Sequence, residues 1–373
     1  MNFTAPCLFG VEGLLADELK RMGAENVVAE NGRVSFSGDD SILARANINS
    51  RFAERILIEV GSFTAYSFTE LFDNVSRLPF ERYIDKYDAF PVKGWSLNSK
   101  LHSIPDCQSI IKKSIVSRLQ KKYGITWFEE TGSKVQIQFS IMKDKVSILI
   151  DTSGEGLHKR GYRRDANEAP IKETLAAAMA SVARIYPDTT LYDPFCGSGT
   201  ILIEAAMIAN NIAPGLKRYF SAERFSFVDK NAFARERERA LESIKRTSDF
   251  HAFGSDIDDN SLEICKNNCR LAGVDSCVTL TNRNAADFEC SSERGLVITN
   301  PPYGERLLDI DEARRLYKII GKRFIKQRGW KYYIISPDED FENHFGRPAD
   351  KRRKLYNGNI KCNLYMYFRS DKA

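Results

Sequence analysis

The sequence predicts an α/β chain: a doubly wound, mostly parallel sheet in its C-terminal half, preceded by two smaller α+β modules. Three observations predict it. From residue 170 onward, helix-like and strand-like segments alternate, and alternation with apolar strands marks a parallel sheet covered on both faces. Residues 1–63 read strand, helix, strand, strand, helix, strand. Between these regions, a basic amphipathic helix is followed by two strands of period two.

The first module opens with a strand over 2–8. In 11–22, Leu14, Leu15, Leu19 and Met22 recur at helical spacing, and Gly23 stops the helix. Strands at 26–30 and 32–37 are joined by Asn31-Gly32, a strong hairpin signal. Asp39 and Asp40 precede a helix to about residue 48, and 55–61 (RILIEVG) is a strand. This βαββαβ order is ferredoxin-like.

The second module spans 64–152. It has a helix near 68–78, a strand near 90–99, the basic helix at 104–123, and a hairpin of 134–141 with 145–151. Residues 153–169 are Gly-rich and basic without an apolar period, and read as a linker. The last domain, 170–373, has helices at 171–184, 200–210, 261–271 and 314–326. Its strands fall at 189–193, 252–256, 278–281, 296–300 and 332–336, with a final hairpin of 354–356 and 362–368.

The chain has no long apolar run that could span a membrane. Its start, MNFTAPCLFGVEG, lacks the basic and apolar parts of a signal peptide, so a cytoplasmic location is expected. Of eight cysteines, only Cys265, Cys269 and Cys277 cluster. No CxxC is present, and Cys265 and Cys269 lie one helical turn apart, so we read buried thiols and no metal site.

Net charge is only +5 but unevenly placed. Residues 1–92 carry 9 Lys/Arg against 14 Asp/Glu, residues 93–163 carry 13 against 6, and the rest 33 against 30. A local basic block suits contact with a phosphate backbone, although a solvated lysine face has the same composition. The cations in question are Lys112, Lys113, Lys121 and Lys122 of the basic helix, and Lys159, Arg160 and Arg163 of the linker, with Tyr162 among them as a stacking ring. A late cluster, Lys351-Arg352-Arg353-Lys354, is a further phosphate-contact candidate.

Three loops carry chemistry. Asp193-Pro194-Phe195-Cys196-Gly197-Ser198-Gly199-Thr200 closes the first strand of the sheet and opens a helix, where ligands of such sheets bind. Its glycines let backbone approach a ligand closely. The spacing is not that of a phosphate-binding loop, and Asp193 would repel a phosphate but suit an amino-bearing ligand. A structural turn is the alternative. Asp256 ends the next strand, where a carboxylate can grip a ribose diol, and Ile257 beside it could pack on a purine. Asp258 reads as a helix N-cap. Asn300-Pro301-Pro302-Tyr303 ends an apolar strand. The two prolines fix the backbone so that the Asn300 side chain and a carbonyl can accept both protons of an NH2 group. Tyr303 offers a ring for a base.

These loops resemble the methionine-head loop, the ribose-binding acid and the amine-methylating motif of Rossmann-like class I methyltransferases. The run Thr299-Asn300-Pro301-Pro302-Tyr303-Gly304-Glu305-Arg306-Leu307 is similar to that of THUMP-domain-containing RNA guanine-N2 methyltransferases. So are residues 193–200 and Leu157-His158-Lys159-Arg160-Gly161-Tyr162-Arg163. Within that family the chain most resembles the RlmL/YpsC-like group, which acts on 23S ribosomal RNA. The resemblance implies a ferredoxin-like domain over 1–63, a THUMP module over 64–152 and a methyltransferase domain over 170–373.

It also implies S-adenosyl-L-methionine as methyl donor, and 23S RNA or a large-subunit assembly intermediate as partner. By the same resemblance Asp193 and the Phe195, Cys196, Gly197, Ser198, Gly199, Thr200 loop hold the methionine part. Asp256 holds the ribose and Ile257 the adenine. Asn284, Ala285 and Asp287 border the adenine. Asn284 stands where Asp is common in the family, so either Asn284 or Asp287 binds the adenine amine. Asn300 and Pro301 bind the target amine, Pro302 stiffens the loop, and Tyr303 stacks on the base. The rivals are a transfer-RNA guanine-N2 enzyme, a DNA adenine or protein glutamine methyltransferase, and a non-catalytic ribosome-assembly factor.

Overall fold

The computed structural model describes residues 1–163, 171–290, 292–303, 309–325 and 328–368. The expected run Gly304-Glu305-Arg306-Leu307 and linker residues 164–169 lie outside the described residues.

The N-terminal half runs β1 (Asn2–Pro6), α1 (Glu12–Arg21), β2 (Glu25–Glu30), β3 (Arg33–Ser37), α2 (Asp40–Asn49), β4 (Leu57–Thr64), α3 (Phe68–Ser76), β5 (Val92–Leu97), α4 (Ile104–Tyr123), β6 (Ile137–Met142) and β7 (Lys145–Asp151). The two expected modules share one seven-stranded sheet, in the order β2-β3-β1-β4-β7-β6-β5. They join because β4 pairs antiparallel with β7, from Leu57 opposite Asp151 to Thr64 opposite Lys145. No local signal announces that pairing, because it links segments far apart in sequence. Strand alternation turns Ile137, Phe139, Ile141, Val146, Ile148 and Ile150 into the core. Helix α4 contributes Ile111, Ile115 and Leu119 to the same core. It stops at Gly124, whose φ of +65° is a conformation glycine adopts without strain.

The C-terminal half runs α5 (Glu173–Ala183), β8 (Thr190–Asp193), α6 (Thr200–Ala209), α7 (Ala232–Glu242), β9 (His251–Asp256), α8 (Asp259–Ala272), β10 (Val278–Asn282), β11 (Gly295–Thr299), α9 (Ile310–Arg323), β12 (Trp330–Ser336), α10 (Phe341–Phe345), β13 (Lys351–Asn357) and β14 (Ile360–Tyr367). Its sheet order is β10-β9-β8-β11-β12-β14-β13. The first five of these strands are parallel, and the β13–β14 hairpin adds antiparallel to β12. The doubly wound architecture is therefore as expected. After β8 the chain builds β9 and β10 on one side, then crosses to β11 on the other. That reversal opens a crevice beyond the carboxyl ends of β8 and β11, which carry Asp193 and Thr299-Asn300.

Helix α7 has no counterpart in the sequence reading, because charges fill AFARERERALE. Its buried Phe233 and Ala240 supply an apolar face. Its buried Glu236 accepts two hydrogen bonds from Arg45 of α2, each 2.7 Å, which ties the two halves together. Among the described residues, no helix is long and apolar enough to cross a membrane.

Candidate functional site

At the end of β8, Asp193 is only 1% exposed. Its Oδ1 accepts a hydrogen bond from Thr299 Oγ1 at 2.7 Å and from the Phe195 amide at 3.2 Å. Burial pushes this carboxyl up to about 7, and the nearby Asp256 charge adds to the rise; the two donors oppose it without cancelling it. The site thus holds a carboxylate whose charge is costly until a cation meets it.

The following loop is pinned by backbone. Cys196 N donates to Ser255 O at 3.0 Å, and Gly197 N donates to Asp256 Oδ2 at 3.0 Å. The other oxygen of Asp256 accepts from the Asp258 amide at 3.1 Å. Gly199 begins α6 at φ +82°, and a Cβ there would lie 2.3 Å from Cys265 Sγ. Only glycine fits, so the start of α6 packs directly against Cys265 of α8. Ser198 and Thr200 are buried, and Asn268 Nδ2 holds the Ser198 carbonyl at 3.0 Å. Cys196, Cys265 and Cys269 are buried free thiols and Cys277 is half-buried.

Ile257, beside Asp256, is 69% exposed, an apolar side chain standing in solvent. Asp258 caps α8, accepting from Asn260 N at 3.1 Å and Ser261 N at 3.2 Å, as its position predicts. Beyond β10, Asn284 Oδ1 accepts from the Ala286 amide at 2.9 Å. Ala285 is buried and Asp287 exposed, so Asp287 carries the open carboxylate of this stretch.

Beyond β11, Asn300 Oδ1 is buried and has no hydrogen-bond partner among the described residues. An unsatisfied buried acceptor costs about 1–3 kcal/mol, and this one stands ready to accept from a donor that enters the crevice. Pro301 is buried and Pro302 half-buried. Tyr303 differs from expectation: its ring is buried, and its hydroxyl accepts from Asn357 Nδ2 at 2.8 Å. It walls the crevice rather than offering an open stacking face.

The basic positions divide. Lys113, Lys121 and Lys122 are exposed on α4. Lys112 is drawn inward: its Nζ bonds the Phe90 carbonyl at 3.1 Å, sits over that ring, and pairs with Glu130. Lys159 is exposed and pairs with Glu155 at 3.3 Å. Arg160 and Tyr162 are corrected outright. Both are buried, with Arg160 donating to the Leu157 and Arg51 carbonyls and pairing with Glu204, and the Tyr162 hydroxyl donating to Glu204 at 3.0 Å. Glu204 lies within the apolar helix α6 and needs these partners, so the segment packs as core instead of reaching for RNA. Arg163 is likewise committed, pairing with Glu173 at 2.9 Å and donating to the Ile171 carbonyl at 3.0 Å. In the late cluster, Arg352 pairs with Glu342 and Arg353 bonds the Gly10 carbonyl at 2.6 Å.

Two side chains at the site escaped the sequence reading. Thr299 had a signal, a hydroxyl at a strand end directly before Asn300. Asn357, from the distant β13, had none.

Comparison with known proteins agrees with this geometry. The family described as the RMKL-like methyltransferase domain matches residues 160–366. An RlmL ferredoxin-like domain matches 2–57 and a THUMP domain matches 65–151. The chain is 42% identical over 367 residues to YpsC of Bacillus subtilis (strain 168), provisionally named an RNA methyltransferase, covering 98% of this chain and 94% of that protein. It is 33% identical over 380 residues to the ribosomal RNA large subunit methyltransferase K/L of Psychromonas ingrahamii, covering all of this chain but 51% of that protein. The chain thus spans about half the length of its K/L relatives. The crystal structure of SMU.472, provisionally named a methyltransferase and complexed with SAH, superposes with a TM-score of 0.93 at 41% identity, covering 100% of this chain and 98% of that one.

Proposed function

The chain belongs to the UPF0020 family of RMKL-like methyltransferases, and from that premise we propose that it is an S-adenosylmethionine-dependent RNA methyltransferase whose product is N2-methylguanosine in 23S ribosomal RNA. The observation that carries the target chemistry is the buried Oδ1 of Asn300, which has no partner among the described residues. An exocyclic amine donates two N–H bonds; Asn300 Oδ1 and the Pro301 carbonyl would accept them.

The residues present fit the donor. Buried Asp193 suits its ammonium group, and the glycine backbone of residues 197–199 lets its methionine part approach. Asp256 suits the ribose diol, and exposed Ile257 an adenine face. Because Asn284 Oδ1 already accepts from Ala286 N, Asp287 is the better partner for the adenine amine, next to buried Ala285. When bound, the donor supplies an electrophilic methyl group.

Asn300 does the orienting. A base amine is a weak nucleophile because its lone pair is delocalised into the ring. Accepting both protons draws the nitrogen towards a tetrahedral shape with its lone pair free, so rate comes from positioning and electrostatics. Tyr303, held by Asn357, walls the base site. A base stacked in a helix cannot reach a crevice at a strand end, so the target must be unpaired or flipped.

The test is nucleoside mass spectrometry on 23S, 16S and transfer RNA from cells with and without the gene, followed by transfer of labelled methyl to the RNA that changed. Loss of N2-methylguanosine from 23S RNA, restored by protein and donor, is expected. Loss from transfer RNA instead would overturn the target, and no change in any RNA would overturn the activity.

A further inference from the structure

Different strands hold the two halves of the site, and one hydroxyl joins them. Strands β8 and β11 are paired at Leu191 with Leu296 and at Tyr192 with Val297. The ladder ends there, two residues short of Thr299, where the crevice opens. Across that opening Thr299 Oγ1 donates to Asp193 Oδ1 at 2.7 Å. Among the described residues it is the only side-chain hydrogen bond between the two strands. On its other side β11 is held by backbone, with Thr299 opposite Ile334 of β12.

The strand itself has no need of the hydroxyl. Leu296, Val297 and Ile298 lead into Thr299, which is fully buried, and a strand covered on both faces is ordinarily filled with aliphatic side chains. Valine would fill nearly the same space. Asp193 is the hydroxyl's only partner among the described residues. The Phe195 amide also bonds Oδ1, so Oδ2 is the oxygen left for a ligand ammonium. Asn300 follows Thr299 directly, so whatever moves Thr299 moves the buried Oδ1 assigned above to the target amine. A hydrogen bond to a carboxylate is roughly twice as strong as one between neutral groups. The clamp is therefore firm when Asp193 is ionised and weak when it is protonated, and a bound ammonium keeps it ionised.

We infer that Thr299 is a positioning residue that ties the donor site to the amine site. Its hydroxyl, donated to Asp193, holds the start of the Asn300-Pro301-Pro302-Tyr303 loop, and a bound donor tightens that hold. The inference rests on the methyltransferase reading above. Donor and target then bind with positive coupling: the donor prepares the amine site, and by linkage an engaged amine tightens the donor by the same factor. A side chain that only filled space would give neither effect.

The test uses the full chain, S-adenosylhomocysteine, labelled S-adenosylmethionine, and total RNA from cells lacking the gene as methyl acceptor. With saturating donor, Thr299→Val should slow single-turnover transfer roughly tenfold or more, since a misplacement of about 1 Å can cost about a hundredfold. Thr299→Ser, which keeps the hydroxyl and loses a methyl, should recover most of the rate. S-adenosylhomocysteine should slow hydrogen exchange over residues 295–303 in the parent and in Thr299→Ser, and much less in Thr299→Val. A parental rate in Thr299→Val, or a Thr299→Ser as slow as Thr299→Val, overturns the role of the hydroxyl and leaves the methyltransferase reading standing. Equal protection in the parent and Thr299→Val overturns the link between the donor and amine sites. A parent chain that neither binds S-adenosylhomocysteine nor methylates any RNA overturns the methyltransferase reading as well.

Discussion

Asp193 couples donor binding to pH. Its carboxyl, with an ordinary value of 3.8, is pushed up to about 7 by burial. Between those values the folded chain holds a proton that the unfolded chain has released, so stability falls as pH rises through that window. Three units correspond to about 4 kcal/mol at most. Asp193→Asn has no charge to bury, so its unfolding free energy should gain on the parent by up to that amount between pH 4 and pH 8. A ligand ammonium needs the ionised form. With the carboxyl half-ionised near 7 and about one-tenth ionised at pH 6, donor affinity should drop about fivefold between them. Equilibrium dialysis of labelled S-adenosylmethionine at pH 6, 6.5 and 7, alongside denaturant titrations of both proteins, reads the two effects. A flat parental affinity, or parallel stability curves for parent and variant, would refute the argument.

Other outcomes follow from the same geometry. Asn300→Ala should keep donor binding and lose methyl transfer by roughly a hundredfold or more in single-turnover assays. It should melt no lower than the parent, because it removes a buried acceptor that has no partner among the described residues. Gly199→Ala should abolish donor binding and cost about 1–3 kcal/mol, because its Cβ would meet Cys265 Sγ at a φ of +82°. Asn357→Ala should lower turnover more than donor affinity by removing one of the holds on Tyr303, with about 1 kcal/mol lost in denaturant titration. Arg160→Met should destabilise by about 3–5 kcal/mol, since it removes the cation paired with buried Glu204 and leaves the Tyr162 hydroxyl on it. An Arg160→Met protein that melts like the parent but binds RNA weakly would reinstate Arg160 as a surface contact.

Much of the site was legible because it depends on short stretches of chain. Apolar strands ending in Asp193, Asp256 and Asn300 announce a parallel sheet and its ligand-facing ends together. The hairpin, the basic helix and the Asp258 cap are local in the same way. What escaped is non-local. The β4–β7 pairing, Asn357 on Tyr303 and Arg45 on Glu236 join residues far apart in sequence. Arg160 and Tyr162 show the limit of composition: a cation beside a ring reads the same whether it awaits a phosphate or is sealed against a carboxylate. One hint was present in TILIEAAMIA, where a lone Glu204 in an apolar helix asks for a buried partner.

The shared N-terminal sheet has a consequence for the order in which the chain is made. Strand β4 is complete at Thr64, yet the strand that covers its outer edge begins at Lys145. About 80 residues must be synthesised in between, which at ribosomal speeds takes roughly 4–16 s. For that interval the nascent protein shows an unpaired edge of apolar and neutral residues, LIEVGSFT, with one charge in eight positions. Such an edge invites pairing with a neighbouring nascent chain. Translation pauses between 65 and 145 should therefore cost soluble yield more than pauses placed after 151.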